Sequence, residues 1–229
     1  MKYMGSKNRI AKYILPIILK DRKEGQYYVE PFCGGCNLID KVDGNRIGAD
    51  TNKYLIALLL KLQEGWIPPS ISKEEYLLIK DNKENYPDYL LGYVGFQLTF
   101  SSQWFGSYRR DNTGLRDYSK EAIKNIVAQT PNLKSIIFKE SSYDELEIPP
   151  NSIIYCDPPY KDTAGYLDNV IDYPHFYQWC RDRKAEGHTI FISEYTMPDD
   201  FICVWQKEQV SSLAKDTGSK RAIEKLFTL

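Results

Sequence analysis

The chain has 229 residues, of which 42% are hydrophobic and 27% charged, and its formal net charge is −1. This length suits one α/β domain with an inserted subdomain, and the apolar content excludes a largely disordered chain. No apolar run approaches the length of a bilayer span, so we expect no membrane association. Five cysteines, an odd number, and no apolar leader segment favour a reducing compartment, and we predict a cytoplasmic protein.

Charge is distributed unevenly along the chain. Residues 1–23 hold seven Lys/Arg and one Asp, and residues 104–139 hold seven Lys/Arg against three acids. Residues 140–182 reverse this balance, with nine acids and two basic residues. A near-neutral protein with such segregation can present one basic face to phosphates, although an ordinary solvated surface explains the charges equally well.

The N-terminal part alternates between strand and helix patterns. Residues 27–30 predict a strand that ends at Pro31, and residues 46–50 predict a second strand after a glycine-bearing loop. A helix is predicted over 52–62, because leucines recur there on one helical stripe. This order is typical of the start of an α/β sheet.

Residues 63–134 interrupt the alternation and are predicted to form a mostly helical inserted subdomain. A polar, aromatic and basic loop or hairpin is expected within it over 101–117. The predicted helices of the insert cover residues 72–83, 88–100 and 119–129. Ser119 is the expected N-cap of the last of these helices.

Strand patterns return after the insert. A helix over 175–186 is predicted among them, and the strands cover 135–138, 152–156, 189–193, 201–210 and 222–228. The fold class predicted is therefore α/β, with helices on both faces of a sheet. Residues 1–62 and 135–229 would form this domain, with 63–134 inserted between its halves.

The tetrapeptide Asp157-Pro158-Pro159-Tyr160 directly follows a predicted strand, which is where open α/β sheets bind ligands. An exocyclic amine of a nucleobase is a poor nucleophile, because its lone pair is delocalised into the ring. Ionised Asp157 only accepts hydrogen bonds, and the Pro158 carbonyl, held by two prolines, offers a second acceptor for the amine. Tyr160 could stack on an extruded base. The alternative is an ordinary proline-rich turn.

The segment Glu30-Pro31-Phe32-Cys33-Gly34-Gly35 is a second candidate element. Its two glycines permit close approach of the backbone to a ligand, and Asp50 ends the next strand, where it could accept both hydroxyls of a ribose. The loop lacks the lysine-serine pair of a phosphate-binding loop, so a nucleoside fits better than a polyphosphate. A plain turn with a solvated acid remains the alternative. We assign no redox role to Cys33 and Cys36, because the glycines between them are explained by the loop.

Taken together, these residues resemble the Dam-like family of DNA adenine-N6 methyltransferases. The resemblance covers most of the chain and follows the family's order, from Tyr3-Met4-Gly5-Ser6-Lys7 through the glycine loop and Asp50 to Asp157-Pro158-Pro159-Tyr160. It implies a Rossmann-like methyltransferase sheet and an insert that recognises the DNA target. It also implies S-adenosylmethionine as cofactor, no metal, and double-stranded DNA as the partner, with adenine N6 as the methylated atom.

The resemblance assigns roles to individual residues. Asp157, Pro158, Pro159 and Tyr160 would form the catalytic corner. The implied cofactor contacts are Tyr3, Lys7, Glu30, Pro31, Phe32, Cys33, Gly34, Gly35, Asp50, Tyr143 and Asp157. Candidate DNA contacts in the insert are Tyr108, Arg109, Arg110 and Arg116, which could equally be solubilising surface residues.

One departure from the family pattern concerns the end of the strand after the insert, where Ser142 replaces the usual acid before Tyr143. Two other functions remain open: methylation of cytosine N4, which poses the same electronic problem, and DNA binding without catalysis. The recognition sequence and any restriction endonuclease partner stay undetermined, and a monomer is the default expectation.

Overall fold

A computed structural model of the chain describes residues 1–111, 113, 115–160, 171–210 and 221–229. Within these ranges seven strands form a single sheet in the order β3-β2-β1-β4-β5-β7-β6. Strands β1 to β5 run parallel, and β7 is antiparallel to both β5 and β6. The strands are β1 (Tyr28–Glu30), β2 (Arg46–Asp50), β3 (Ile136–Glu140), β4 (Ile153–Cys156), β5 (Thr189–Ser193), β6 (Ile202–Val210) and β7 (Arg221–Thr228).

Six α-helices accompany the sheet in the described ranges, and a π-helical turn over Tyr93–Gln97 extends the fourth. The helices are α1 (Ala11–Ile18), α2 (Lys53–Gln63), α3 (Lys73–Asp81), α4 (Asp88–Gly92), α5 (Tyr118–Leu133) and α6 (Tyr173–Ala185). None of them is long and apolar enough to cross a bilayer.

The central strands are buried on both faces, because alternate side chains enter two separate cores. On β4, Ile153 and Tyr155 join the core beneath α1, α2 and the insert, whereas Ile154 and Cys156 join the core beneath α6. Two-sided burial is expected of parallel strands flanked by helices. The Rossmann-like α/β class predicted from the sequence is thereby confirmed.

Local capping explains where several helices begin. Asn52 accepts a hydrogen bond from the Leu55 amide at the start of α2, and Ser72 forms a reciprocal capping box with Glu75 on α3. The predicted N-cap of α5 is wrong: Asp117 caps the helix by accepting from the Lys120 amide. Ser119 is instead the second residue of the helix, where its hydroxyl contacts the Ser70 hydroxyl and the Ile71 amide.

Residues 63–134, called the insert below, share the core beneath the sheet. Tyr76, Leu91, Tyr93 and Ile126 from its helices lie in the same buried cluster as the leucines of α2. The predicted helix over 88–100 is shorter than expected, because regular α-helix ends at Gly92 and the π-helical turn follows. Gly92 permits the close contact of α4 with α2, since a Cβ there would lie 2.1 Å from the Tyr54 carbonyl oxygen.

Strand β1 carries a buried acid. Glu30 is 3% exposed and accepts a hydrogen bond from the Tyr28 hydroxyl at 2.8 Å. Burial raises the pKa of Glu30 well above its usual value, and this hydrogen bond opposes the shift only in part. Such an acid destabilises the fold as the pH rises, because above its ordinary pKa the unfolded chain releases the proton that the folded chain retains.

Replacing Glu30 with Gln should therefore remove a destabilising contribution that is absent at acid pH and grows with pH. We expect the difference in melting temperature between Glu30→Gln and the parent to increase from pH 5 to pH 8. Each kcal/mol gained in the free energy of unfolding should raise the melting temperature by roughly 2–4 °C. Thermal unfolding across this pH range measures the difference. The exposed Glu147→Gln is the control, and equal pH profiles for both variants would contradict the expectation.

Candidate active site

Four neighbouring parallel strands deliver polar side chains to one edge of the sheet. β1 leads into the glycine loop, β2 ends at Asp50, β4 is followed by Asp157 and β5 by Glu194. β1 lies between β2 and β4, so the chain changes direction across the sheet at this point. Ligands of open α/β sheets bind at such a switch point.

Asp50 closes the glycine loop against the second strand. One of its oxygens accepts from the Gly34 amide at 3.1 Å, and the other accepts from the Asn52 amide at 2.9 Å. Burial raises the pKa of Asp50, and these two amide hydrogen bonds counteract that effect. Each carboxylate oxygen has a second lone pair, so the half-buried side chain can still accept hydrogen bonds from a ligand.

Tyr3 packs directly on the two glycines of the loop. A Cβ added to Gly34 would lie 2.9 Å from Tyr3 Cε1, and one added to Gly35 would lie 2.6 Å from Tyr3 Cβ. Gly34 also has a φ of +45°, which favours glycine. The Tyr3 ring also packs against the Phe96 ring of the insert, with ring centroids 5.6 Å apart. The N-terminal segment therefore lies between the loop and the insert.

Lys7 is the centre of a charged cluster at the corner formed by residues 157–160. Its ammonium is buried and lies 3.2 Å from Asp157 Oδ1 and 3.4 Å from Glu224 Oε2. It donates to the Tyr160 hydroxyl at 2.5 Å and sits 4.4 Å from the centroid of the Tyr160 ring. The Tyr160 hydroxyl in turn donates to Glu224 at 2.8 Å. Three predicted site residues are thus brought together, and Glu224 joins them.

The electrostatics of this cluster set the protonation of Asp157. Burial raises its pKa to about 6, Lys7 opposes the shift, and the negative charges of Glu224 and Glu194 add to it. Burial alone would lower the pKa of Lys7, but Asp157 and Glu224 raise it above its ordinary value. Lys7 is consequently charged at neutral pH, and Asp157 is mostly ionised there.

Residues at the start of α6 and just after β5 support the proline pair and Tyr160. The Tyr173 hydroxyl, at the start of α6, donates to the Pro159 carbonyl and lies 3.1 Å from the buried carboxyl of Glu194. The Tyr195 ring meets the Tyr160 ring edge-on, with centroids 4.6 Å apart. From the sequence we had no reason to select Tyr173, because nothing in its local pattern distinguishes it from a helix-start aromatic.

An aromatic cluster borders the glycine loop on the α6 side. Phe32 stacks on Tyr143 with centroids 5.5 Å apart, and the Tyr143 hydroxyl lies 3.2 Å from His175 Nδ1. Ser142, which replaces the acid of the family pattern, donates its hydroxyl to Asp144 at 2.6 Å. A carboxylate is therefore present near this position, two residues further along the chain.

The two cysteines of the glycine loop make contacts within the fold. The Cys33 amide donates to the Ala49 carbonyl at 2.8 Å, which pairs the loop with β2. Cys33 and Cys36 are both buried. The neighbouring Cys36 thiol and burial raise the pKa of the Cys33 thiol, and burial raises the pKa of the Cys36 thiol. Raised values oppose thiolate formation, so these side chains are poor nucleophiles.

The four candidate DNA contacts lie in different surroundings. Tyr108 is half-buried and donates its hydroxyl to the Ile71 carbonyl at 2.7 Å, so it serves the packing of the insert. The Arg109 guanidinium lies 3.8 Å from the centroid of the Tyr118 ring. Arg116 pairs with Glu121 at 2.6 Å, and Arg110 is exposed. Arg109 and Arg116 both lie over the Tyr118 ring, and Arg110 follows Arg109 in the chain.

Comparisons with known proteins bear on this site. The type II methyltransferase M.FokI of Planomicrobium okeanokoites is 24% identical over 191 residues, which make up 72% of this chain and 29% of that protein. The chain thus spans less than a third of the length of this relative. The crystal structure of SMU.472 complexed with SAH has a TM-score of 0.40 at 11% identity, and the alignment covers 98% of this chain and 52% of that one.

A family model covers far more of the chain than any single motif does. Residues 3–191 match the D12 class of N6 adenine-specific DNA methyltransferases, and this range contains the glycine loop, Asp50 and the Asp157 corner. The order of these elements along the chain is the one on which the resemblance was based. With most of its length matched in this way, the chain belongs to the D12 class N6 adenine-specific DNA methyltransferase family.

Proposed function

We propose that the protein transfers a methyl group from S-adenosylmethionine to N6 of an adenine extruded from double-stranded DNA. The observation that supports this most directly is the position of Asp157. It is 21% exposed, held by Lys7 beside Tyr160, and lies at the same edge of the sheet as Asp50 and the glycine loop. Family membership supports the same activity.

The chain's own residues solve the problem of a poorly nucleophilic amine. Ionised Asp157 accepts one N–H of the adenine amine and the Pro158 carbonyl accepts the other, which localises the nitrogen lone pair for attack. Tyr173 fixes the neighbouring Pro159 carbonyl, so the corner is held in place before substrate arrives. The Tyr160 ring stacks on the extruded base. S-adenosylmethionine, when bound, supplies an electrophilic methyl group on a sulfonium.

The residues at the sheet edge fit this cofactor. Asp50 retains acceptor capacity for the two ribose hydroxyls, and the Phe32–Tyr143 stack offers an aromatic surface for an adenine ring. We assign the methionine end to the loop over 30–35 and to the N-terminal segment that carries Tyr3 and Lys7. No metal is required, because the sulfonium already provides a good leaving group.

We further propose that residues 63–134 recognise the DNA target and that residues 1–62 and 135–229 carry the chemistry. Arg109, Arg110 and Arg116 contact phosphates or bases, and Tyr108 supports them from within the insert. The protein acts as a monomer in the cytoplasm. A restriction endonuclease that shares its recognition sequence is a candidate partner.

Incubation with DNA and S-adenosylmethionine labelled in its methyl group tests the proposed function. Nucleoside digestion then identifies the modified base, and N6-methyladenine is the expected product. N4-methylcytosine would show that the chemistry is right but the target is wrong. DNA binding without transfer of label would identify a binding protein that has no catalytic activity.

Replacing Asp157 with Ala should remove nearly all turnover while leaving DNA affinity within about twofold of the parent. Loss of the acceptor leaves the amine delocalised, so we expect kcat to fall on the order of 10³-fold. Single-turnover methylation and a DNA-binding titration give the two numbers. The exposed Asp182→Ala is the matched control, and parental turnover by Asp157→Ala would refute the mechanism.

Methylation should lose rate on the acid side of about pH 6. Asp157 must be ionised to accept the amine N–H, and its pKa is raised to about 6, mainly by burial. We expect kcat/KM to drop about tenfold for each pH unit below that value. A profile from pH 5 to pH 8 measures it, and a rate that stays flat down to pH 5 would contradict this protonation requirement.

Arg110 should contribute a phosphate contact. Its replacement by Ala is expected to weaken DNA binding about 3- to 10-fold and to reduce the slope of log affinity against log salt by about one. Titrations at several salt concentrations measure both effects. Arg181→Ala is the control, because Arg181 pairs with Asp200 on the α6 side of the sheet, away from the insert. An unchanged salt slope for Arg110→Ala would remove Arg110 from the interface.

A further inference from the structure

Glu224 lies on β7, beyond the residues 3–191 that match the family. Its side chain is 17% exposed and reaches the catalytic corner, where one oxygen accepts from the Tyr160 hydroxyl at 2.8 Å and lies 3.4 Å from Lys7 Nζ. β7 pairs with β5 so that Leu226 faces Ser193, and its preceding residues extend past the end of β5. The antiparallel strand thus carries Glu224 to the same edge as Asp157.

Glu224 belongs to a network of hydrogen bonds and ion pairs with Lys7, Asp157 and Tyr160. Lys7 bridges Glu224 and Asp157, while the Tyr160 hydroxyl accepts from Lys7 and donates to Glu224. Burial, with the charges of Asp157 and Glu224, raises the pKa of Tyr160 well above its ordinary value, so the phenol keeps the proton that it donates. Hydrogen bonds from a neutral hydroxyl and an ammonium to a carboxylate are the strong, charge-assisted kind.

We propose that Glu224 is a positioning residue of the methyl-transfer site. It holds the Lys7 ammonium and the Tyr160 ring in their positions beside Asp157. The inference rests on the proposed function and extends it to a strand that no recognised motif covers. Without Glu224, Lys7 retains Asp157 as its acidic partner in this cluster and would draw closer to it. The carboxylate would then be less available to the adenine amine, and the Tyr160 hydroxyl would lose its hydrogen bond to Glu224.

Removal of Glu224 also changes the charge around Asp157. The negative charge of Glu224 raises the pKa of Asp157, so the loss of that charge should lower it. Other titratable groups face the two carboxyls from the strands and loops packed around them. These groups are Lys7, Glu30, Tyr155, Cys156, Tyr160, Glu194 and Tyr195. All of them remain in a Glu224 variant, so the shift reports on Glu224 itself.

Two substitutions separate the hydrogen bonds from the charge. Glu224→Ala removes both, whereas Glu224→Gln keeps an oxygen that accepts from Tyr160 and removes only the charge. We expect kcat to fall about 10²-fold in Glu224→Ala, with KM for DNA and for cofactor changed less than about threefold. Glu224→Gln should recover at least about tenfold of that loss. In both variants the acid limb of the pH profile should move to lower pH.

Methyl-transfer kinetics from pH 5 to pH 8, together with thermal unfolding, test the inference. Glu186→Gln is the control, because Glu186 also pairs with a cation, Arg183, but at the opposite end of the sheet. If Glu224→Gln folds and both variants keep the parental kcat and acid limb, the inference is overturned and the proposed function stands. An equal loss in both variants with an unmoved acid limb shows a merely structural ion pair and also overturns it. A parent chain that transfers no methyl group overturns both.

Discussion

The ion pairing of the buried Lys7 ammonium is the interaction on which the proposed catalytic edge depends. Two carboxylates, Asp157 and Glu224, lie within 3.4 Å of this ammonium, and without it burial and the charge of Glu224 would raise the pKa of Asp157 further. One cation between two acids leaves a net negative site that can still accept an amine N–H. The pKa of about 6 for Asp157 reflects this balance, because burial raises it and Lys7 restrains it.

Lys7 belongs to an N-terminal segment whose position is fixed by the insert. The Gln97 side chain pairs with both backbone groups of Lys2, at 3.1 and 2.9 Å, and Tyr3 packs on Gly34 and Gly35. On the loop's other side, the Gln129 amide of α5 donates to the Gly35 carbonyl at 3.1 Å. The insert, which is proposed to bind DNA, therefore packs directly against the segments that are proposed to bind the cofactor. A movement of the insert when DNA binds would displace the glycine loop as well.

Much of this arrangement was predictable, because it follows from patterns local in the chain. The strands before Pro31 and Asp157, the loop and Asp50 are marked by residue type and order, and the parallel sheet then brings their ends together. Helix α1 was not predicted, since it is only eight residues long and contains Pro16. The N-cap of α5 was misassigned because two polar residues, Asp117 and Ser119, compete for that role, and tertiary contacts with Ser70 decide between them.

Glu224 shows why the rest was not predictable. Along β7 it is one of several polar residues on a strand, and nothing in its spacing distinguishes it from solvated positions. Its role arises from topology: β7 enters the sheet antiparallel, so its early residues extend past the carboxyl ends of the parallel strands instead of their amino ends. A parallel strand in the same place would present its last residues there. A site residue contributed by the reversed strand is thus a consequence of strand direction, and it becomes visible only when the register of the sheet is known.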